Sequence, residues 1–283
     1  MNHDLITNWI AALKTAATDN DMRYLNMIVD QSGEAFSLIP ELQSFSPEIK
    51  WCSLFQGLPE EIMADDAPIL MRIDLTHPDQ WQWMQEVILR LKEERSLLIL
   101  CSSWSFDLLS QHLIQCVDAT WEGQAGILRF FDPSIFAVLF SHVLDTGQQQ
   151  QLLRPALFWS WLNRDGVSNF LLGEGNAEPI NDAVEKIDLT DKQLENLLCV
   201  SDAHRLMFRL NDKNESLEAS NEQLLNHCYA LMIEATDQSI LLDDDRESFV
   251  LKHLKSRLSL GEGIEDEKTT IEAGSFMPAT GRL

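Results

Sequence analysis

At 283 residues, 45% of them hydrophobic, the chain is long enough for one large domain or two small ones and apolar enough to bury a core. Its 45 acidic against 21 basic side chains give a formal net charge of -24, spread along the whole length; such a field repels phosphate backbones, argues against nucleic-acid binding, and suits a basic or charge-mixed protein partner. No run approaches the roughly 20 apolar residues of a membrane-spanning helix, the first residues carry Asp4 and Lys14 without a basic leader, and the five cysteines form no CxxC pair, so a cytoplasmic chain with reduced thiols and no membrane contact is expected.

Leu5, Ile6, Trp9, Ile10 and Leu13 recur at helical spacing and predict an opening amphipathic helix. Short apolar runs then alternate with helical patterns: strands are predicted at 24–29, 51–55, 69–73, 97–101 and 127–131, and helices at 34–42, 59–64, 80–92, 105–114 and 134–143. Trp121 suits a further strand, and 157–162 with 167–172 reads as a hairpin turning at Asp165-Gly166. A polar stretch at 173–188 reads as a linker or surface loop. Two capping boxes follow, Thr190 with Gln193 and Ser220 with Gln223, each announcing a helix, and a third helix is predicted at 247–258 behind the aspartates 243–245.

The expected fold class is therefore α/β, with α+β left open. An N-terminal α/β lobe at 1–172, built on a layered mixed sheet, precedes a smaller all-helical C-terminal lobe at 189–260, and a tail at 261–283 is expected to be disordered.

The junction Arg129-Phe130-Phe131-Asp132-Pro133 reads as a strand running into a helix. Strand alternation sets Arg129 and Phe131 on one side and Phe130 and Asp132 on the other, with Asp132 as N-cap and Pro133 at the first helical position. That separation argues against a same-face Arg/Asp pair.

Chemistry-bearing motifs are incomplete. Gly166-Val167-Ser168-Asn169-Phe170 lacks the closing glycine of a nucleophile elbow, Gly173-Glu174-Gly175 is a lone GxG, and the seven histidines never take the HExxH spacing. The carboxylate pairs read as solvated, so no catalytic residue, metal or cofactor is expected, and the chain is not read as an enzyme. Ser102, Ser103 and Trp104 close a buried strand at the end where α/β proteins place ligands; Ser103 suits an N-cap, and His112 a structural role in the helix that follows.

Taken in order, Leu54-Phe55-Gln56-Gly57, Pro59-Glu60-Glu61, Ala67-Pro68-Ile69-Leu70, Ser102-Ser103, His112-Leu113 and the 129–133 junction resemble the bacterial type VI secretion effector chaperones, also called adaptor proteins. The likeness covers about 24–144, with a further matching helix start at 189–194. It departs at Phe131, where the family more often has tyrosine. The resemblance implies a cytoplasmic, non-catalytic protein that binds a toxic effector and helps mount it on the VgrG spike. On this reading Ser102, Ser103, Trp104, His112, Arg129, Phe131 and Asp132 are the partner-binding candidates, and Trp51, Trp83, Trp104 and Trp121 are candidates to line a groove. Two other readings stand beside it: an acidic immunity protein that neutralises a basic toxin, and an enzyme with an unrecognised site.

Overall fold

The computed structural model describes residues 3–32, 37–63, 65–91, 96–179, 185–212 and 219–260. The tail expected at 261–283, the first residues of the helix expected at 34–42 and part of the 173–188 stretch lie outside the described residues.

Helix α1 (His3–Asp19) opens the chain as its periodicity predicts, burying Ile6, Trp9, Ile10 and Leu13. Four of the predicted strands follow as β1 (Tyr24–Val29), β2 (Lys50–Ser53), β3 (Ile69–Asp74) and β4 (Leu97–Cys101). Between them stand α2 (Ile39–Ser44), a 3-10 turn at Pro59–Met63 and α3 (Pro78–Arg90), and α4 (Phe106–Val117) follows β4. The predicted hairpin forms as β7 (Phe158–Leu162) and β8 (Ser168–Leu172). Its connection is wider than a two-residue turn. Asn163 Oδ1 accepts the N–H groups of Asp165 and Val167 at 3.0 and 2.9 Å, and Gly166 takes φ +78°, a region glycine enters without steric cost.

These strands make a six-stranded sheet in the order β2-β3-β1-β4-β7-β8, antiparallel at every pair. Mixed pairing is confined to a second sheet, where β5 (Asp118–Trp121) lies antiparallel to β6 (Gln124–Ile127) and parallel to β9 (Ile187–Leu189). The mixed α/β class expected from the sequence holds, followed along the chain by a helical C-terminal region.

Period-2 alternation gives the large sheet two buried faces. Across one face, Trp51, Met71, Met27, Ile99, Ser160 and Phe170 stand in a single row. That face shares a core with Trp9 and Leu13 of α1 and with Met84, Val87 and Ile88 of α3. Ser160 is a polar point in this layer: its hydroxyl accepts Trp9 Nε1–H at 2.8 Å and donates to Asn169 O at 2.7 Å, so α1 is tied to the sheet by a satisfied buried pair.

Across the other face run Arg72, Asn26, Leu100, Trp159 and Leu171. Trp159 meets the rings of Phe130 and of Phe136 in α5 (Pro133–Val138), at 6.1 and 5.1 Å. A π-helical turn, Leu139–Val143, ends α5, and Gln149 from α6 (Thr146–Leu153) satisfies the freed carbonyls of Phe140 and Leu144 at 2.8 and 2.9 Å.

The chain divides into two compact units, one of residues 1–140 and 144–189, the other of 141–143 and 190 onward. The second unit contains α7 (Asp191–Asp212), α8 (Asn221–Asp237) and α9 (Asp243–Leu260). Both predicted capping boxes are present: Gln193 and Thr190 exchange bonds of 2.9 and 3.3 Å, and Gln223 and Ser220 exchange two of 3.2 Å. Arg246 of α9 pairs with Asp202 of α7 and donates to Thr236 Oγ1 of α8 at 3.1 Å, so one guanidinium links all three helices. Among the described residues no helix is long and apolar enough to cross a membrane.

Candidate functional site

The predicted site residues fall at the two ends of the central strands. β1 and β4 run antiparallel with Asn26 opposite Leu100 and Val29 opposite Leu97, so the residues after β4 and those after β1 emerge at opposite ends.

At the first end stand Ser102, Ser103, Trp104 and His112. Ser102 is buried and its hydroxyl accepts the Trp104 N–H at 3.2 Å. The Trp104 indole is also buried, donating to Asn176 O at 2.7 Å, while the Trp104 carbonyl accepts Arg72 Nη2 at 2.7 Å. Arg72 gives its Nε–H to Asn26 at 2.8 Å, and burial lowers its pKa. Ser103 is exposed and does not cap α4. Ser105 occupies the N-cap, and the helix's orphan N–H at Ser105 goes to the Glu178 carboxylate, which suits the positive end of the helix dipole. His112 lies edge-on to Trp104 at 5.1 Å with Nε2 2.6 Å from Gln151 O, a bond that places the proton on Nε2. Burial lowers the His112 pKa. This end reads as a knot of satisfied structural bonds.

At the second end, the strand predicted at 127–131 stops at Ile127. Residues 128–132 turn instead: Phe130 N–H bonds to Leu128 O at 2.8 Å and Asp132 N–H to Arg129 O at 3.1 Å. Alternation is lost, so Phe130 and Phe131 are both buried, and Arg129 and Asp132 come to the same side with Nη2 and Oδ2 3.7 Å apart. The expected separation of these charges is thereby overturned, because a turn folds neighbours together where a strand would splay them. Asp132 does cap α5, accepting the Ser134 N–H at 2.9 Å, and Pro133 sits in its first turn.

Arg129's main partner was not foreseen. Asp30, just past β1, holds Arg129 Nη2 at 2.7 Å with its carboxylate side chain 8% exposed against 45% for the arginine. Its other oxygen accepts the Ser32 N–H at 3.0 Å. Burial raises the Asp30 pKa, while the Ser32 hydrogen bonds and the Arg129 charge pull it down. The guanidinium lies over the Phe131 ring at 5.5 Å, and Nε and Nη1 make no bond among the described residues.

The motif pieces at 54–57 and 67–70 reach this same corner. Phe55 meets Phe131 edge-on at 6.0 Å, Leu54 N–H bonds to Pro68 O at 2.9 Å, and the buried Gln31 donates to Ala67 O at 3.2 Å and accepts the Leu38 N–H at 2.9 Å. Gly57, at φ +77°, turns the chain so that its N–H reaches the Glu61 carboxylate at 3.1 Å. Residues 27–151 match the model of a domain of unknown function, DUF4123. No curated protein and no solved structure matches the chain.

The DUF4123 segment starts within β1 and ends within α6, so it holds Asp30, Gln31, the Phe55 turn, His112 and the 129–133 junction together. Of the four groove candidates in and around it, Trp104 and Trp83 are buried, the latter donating to Glu41 at 2.9 Å, whereas Trp51 and Trp121 are half-buried. The thiols are quiet. Burial pushes Cys101, Cys116 and Cys228 up to about 12 and Cys52 up to about 11, and all five cysteines are unbridged. Among the described residues no group of three His, Cys, Asp or Glu side chains is placed to hold a metal ion. Asp30 and Gln31 were missed by sequence reasoning; the available signal was a polar Asp-Gln-Ser triplet closing an apolar strand.

Proposed function

We propose that the chain is a cytoplasmic adaptor of type VI secretion, which binds a toxic effector and promotes its loading onto the VgrG spike without catalysis. The observation that carries this reading is that the motif pieces at 54–57, 67–70 and 129–133, distant in sequence, meet at one corner of the DUF4123 segment, while the serine and histidine pieces lie at the opposite end. That corner is built as a docking point. Asp30 fixes one nitrogen of Arg129 and the Phe131 ring packs against the guanidinium, whose side chain remains 45% exposed, so less side-chain entropy is lost when a partner contacts it. Arginines held in this way are frequent interface hot spots, worth roughly 2 kcal/mol or more. The buried serine and histidine at the opposite end are spent on structural bonds, and the four thiols raised by burial stay protonated, which agrees with a binding role.

The test is co-purification of the tagged chain with a type VI effector and a VgrG protein co-expressed with it. Recovery of both supports the adaptor. Recovery of the toxin domain alone, with its toxicity blocked, marks an immunity protein instead, and recovery of neither overturns both.

A further inference from the structure

In the helical unit, Leu198, Ser201, Arg205 and Phe208 follow one another on α7 at spacings of three, four and three residues, which makes one continuous stripe on a helix. The opposite side of α7 is its core face, with Cys199, Ala203, Leu206 and Leu210 buried. On the stripe, Phe208 is 77% exposed and Leu198 57%, and the connector into α9 adds Leu241 and Leu242, each 71% exposed. The start of α9 is held beside this stripe by Arg205 with Asp243 at 3.6 Å and Arg209 with Glu247 at 2.5 Å. Four large apolar groups therefore face water around one ion-paired seam, an arrangement that marks an interaction surface more often than chance scatter does.

Charge decides the occupant. The cations at the seam are already tied: Arg205 and Arg246 to Asp202, and Arg209 to Glu247. Asp244 and Asp245, exposed in the first turn of α9, pair with no cation among the described residues. The uncompensated charge beside the apolar groups is thus negative.

We infer that this face takes an amphipathic helix of a partner protein, with apolar side chains seated against Phe208 and Leu198 and lysines or arginines along the flank near Asp244 and Asp245. Ten residues of α7 separate Leu198 from Phe208, roughly 15 Å of helix, so about three turns of the partner would be engaged. For the partner to be an effector segment, the inference rests on the adaptor reading; the surface itself does not.

The probe is a labelled peptide of about 18 residues with leucines on one helical stripe and lysines elsewhere, titrated into the purified full chain, with a leucine/glutamate peptide of the same pattern as control. The lysine peptide binds and the glutamate peptide does not. Phe208→Ser and Leu198→Ser each weaken binding at least about tenfold, and Asp244→Asn with Asp245→Asn weakens it further as salt loses its effect. All four side chains are exposed, so Phe208→Ser and Leu198→Ser leave the melting temperature close to the wild-type value, and the Asp244/Asp245 variant lowers it only by the small loss of charge at the α9 N-terminus. Absence of binding by the wild-type chain, or equal binding by the serine variants, overturns the inference. Loss of effector and VgrG co-purification with peptide binding intact overturns the adaptor reading alone.

Discussion

Arg129 compensates the buried Asp30 carboxylate from one nitrogen while its side chain stays 45% exposed, and on the adaptor reading proposed above the exposed part is what a partner meets. Arg129→Ala leaves Asp30 buried without its cation, and a loss of roughly 1–3 kcal/mol is expected at neutral pH. The sign of its pH dependence follows from Asp30. Burial already raises that carboxyl's pKa, and removing the arginine raises it further, so the penalty is full where Asp30 is ionised and fades as pH falls through its folded pKa. Urea unfolding at pH 7 and pH 5 checks this; an equal loss at both would mean that Asp30 is not the group left stranded. Arg129→Lys separates structure from binding, because lysine keeps the charge near Asp30 but lacks the planar fork. The variant is expected to fold normally and to retain less effector. None of this pairing was legible in the sequence. The two residues lie 99 positions apart, and the turn at 128–132 carries two phenylalanines, which read as strand, and no glycine or asparagine to announce a bend.

At the scale of elements, the cues that proved legible were local. Capping residues at Asp132, Thr190 and Ser220 mark helix starts because a side-chain oxygen answers an orphan N–H two or three residues on, and each of the three does so. Short, near-continuous apolar runs marked β1, β3 and β4, which are buried on both faces of the large sheet, and the hairpin announced itself through Asp165-Gly166. Antiparallel pairing throughout that sheet was not legible, since strand direction depends on how the connections route through space. Nor was the Ser103 cap corrected by anything nearby: the carboxylate that serves α4 comes from Glu178, 73 residues downstream of Ser105. Two predictions follow from ties between elements. Ser160→Ala strands the buried Trp9 N–H and should cost about 1–3 kcal/mol, read from the urea midpoint with unchanged slope. His112, bonded to the carbonyl of Gln151 on α6, has its pKa lowered by burial, so its contribution is present above the unfolded value of about 6.5 and is lost as pH falls below it. His112→Gln should therefore be less stable at pH 7 yet show a flatter loss between pH 7 and pH 5; a parallel slope would assign the acid sensitivity elsewhere.

For the whole molecule, the charge of -24 sets the conditions under which any partner is met. Ion pairs such as Arg90 with Glu41, Lys186 with Asp118 and Lys192 with Asp237 consume cations along the surface, which leaves an excess of carboxylates at every scale larger than a pair. Exposed pairs of this kind contribute about 0–1 kcal/mol each, whereas the repulsion among the excess carboxylates is summed over the chain. Salt acts on both, but unequally. Raising ionic strength from about 0.01 M to about 0.1 M shortens the screening length from about 30 Å to about 10 Å, which removes long-range repulsion before it weakens contacts at 2.5 to 3 Å. The melting temperature is therefore expected to rise by a few degrees over that interval, while association with a basic partner slows by an order of magnitude or more as steering is lost. Scanning calorimetry and stopped-flow mixing at the two salt concentrations read these outcomes separately. A melting temperature that falls with salt would show that the local ion pairs outweigh the net repulsion, and an association rate indifferent to salt would remove charge from the account of how this chain finds its partner.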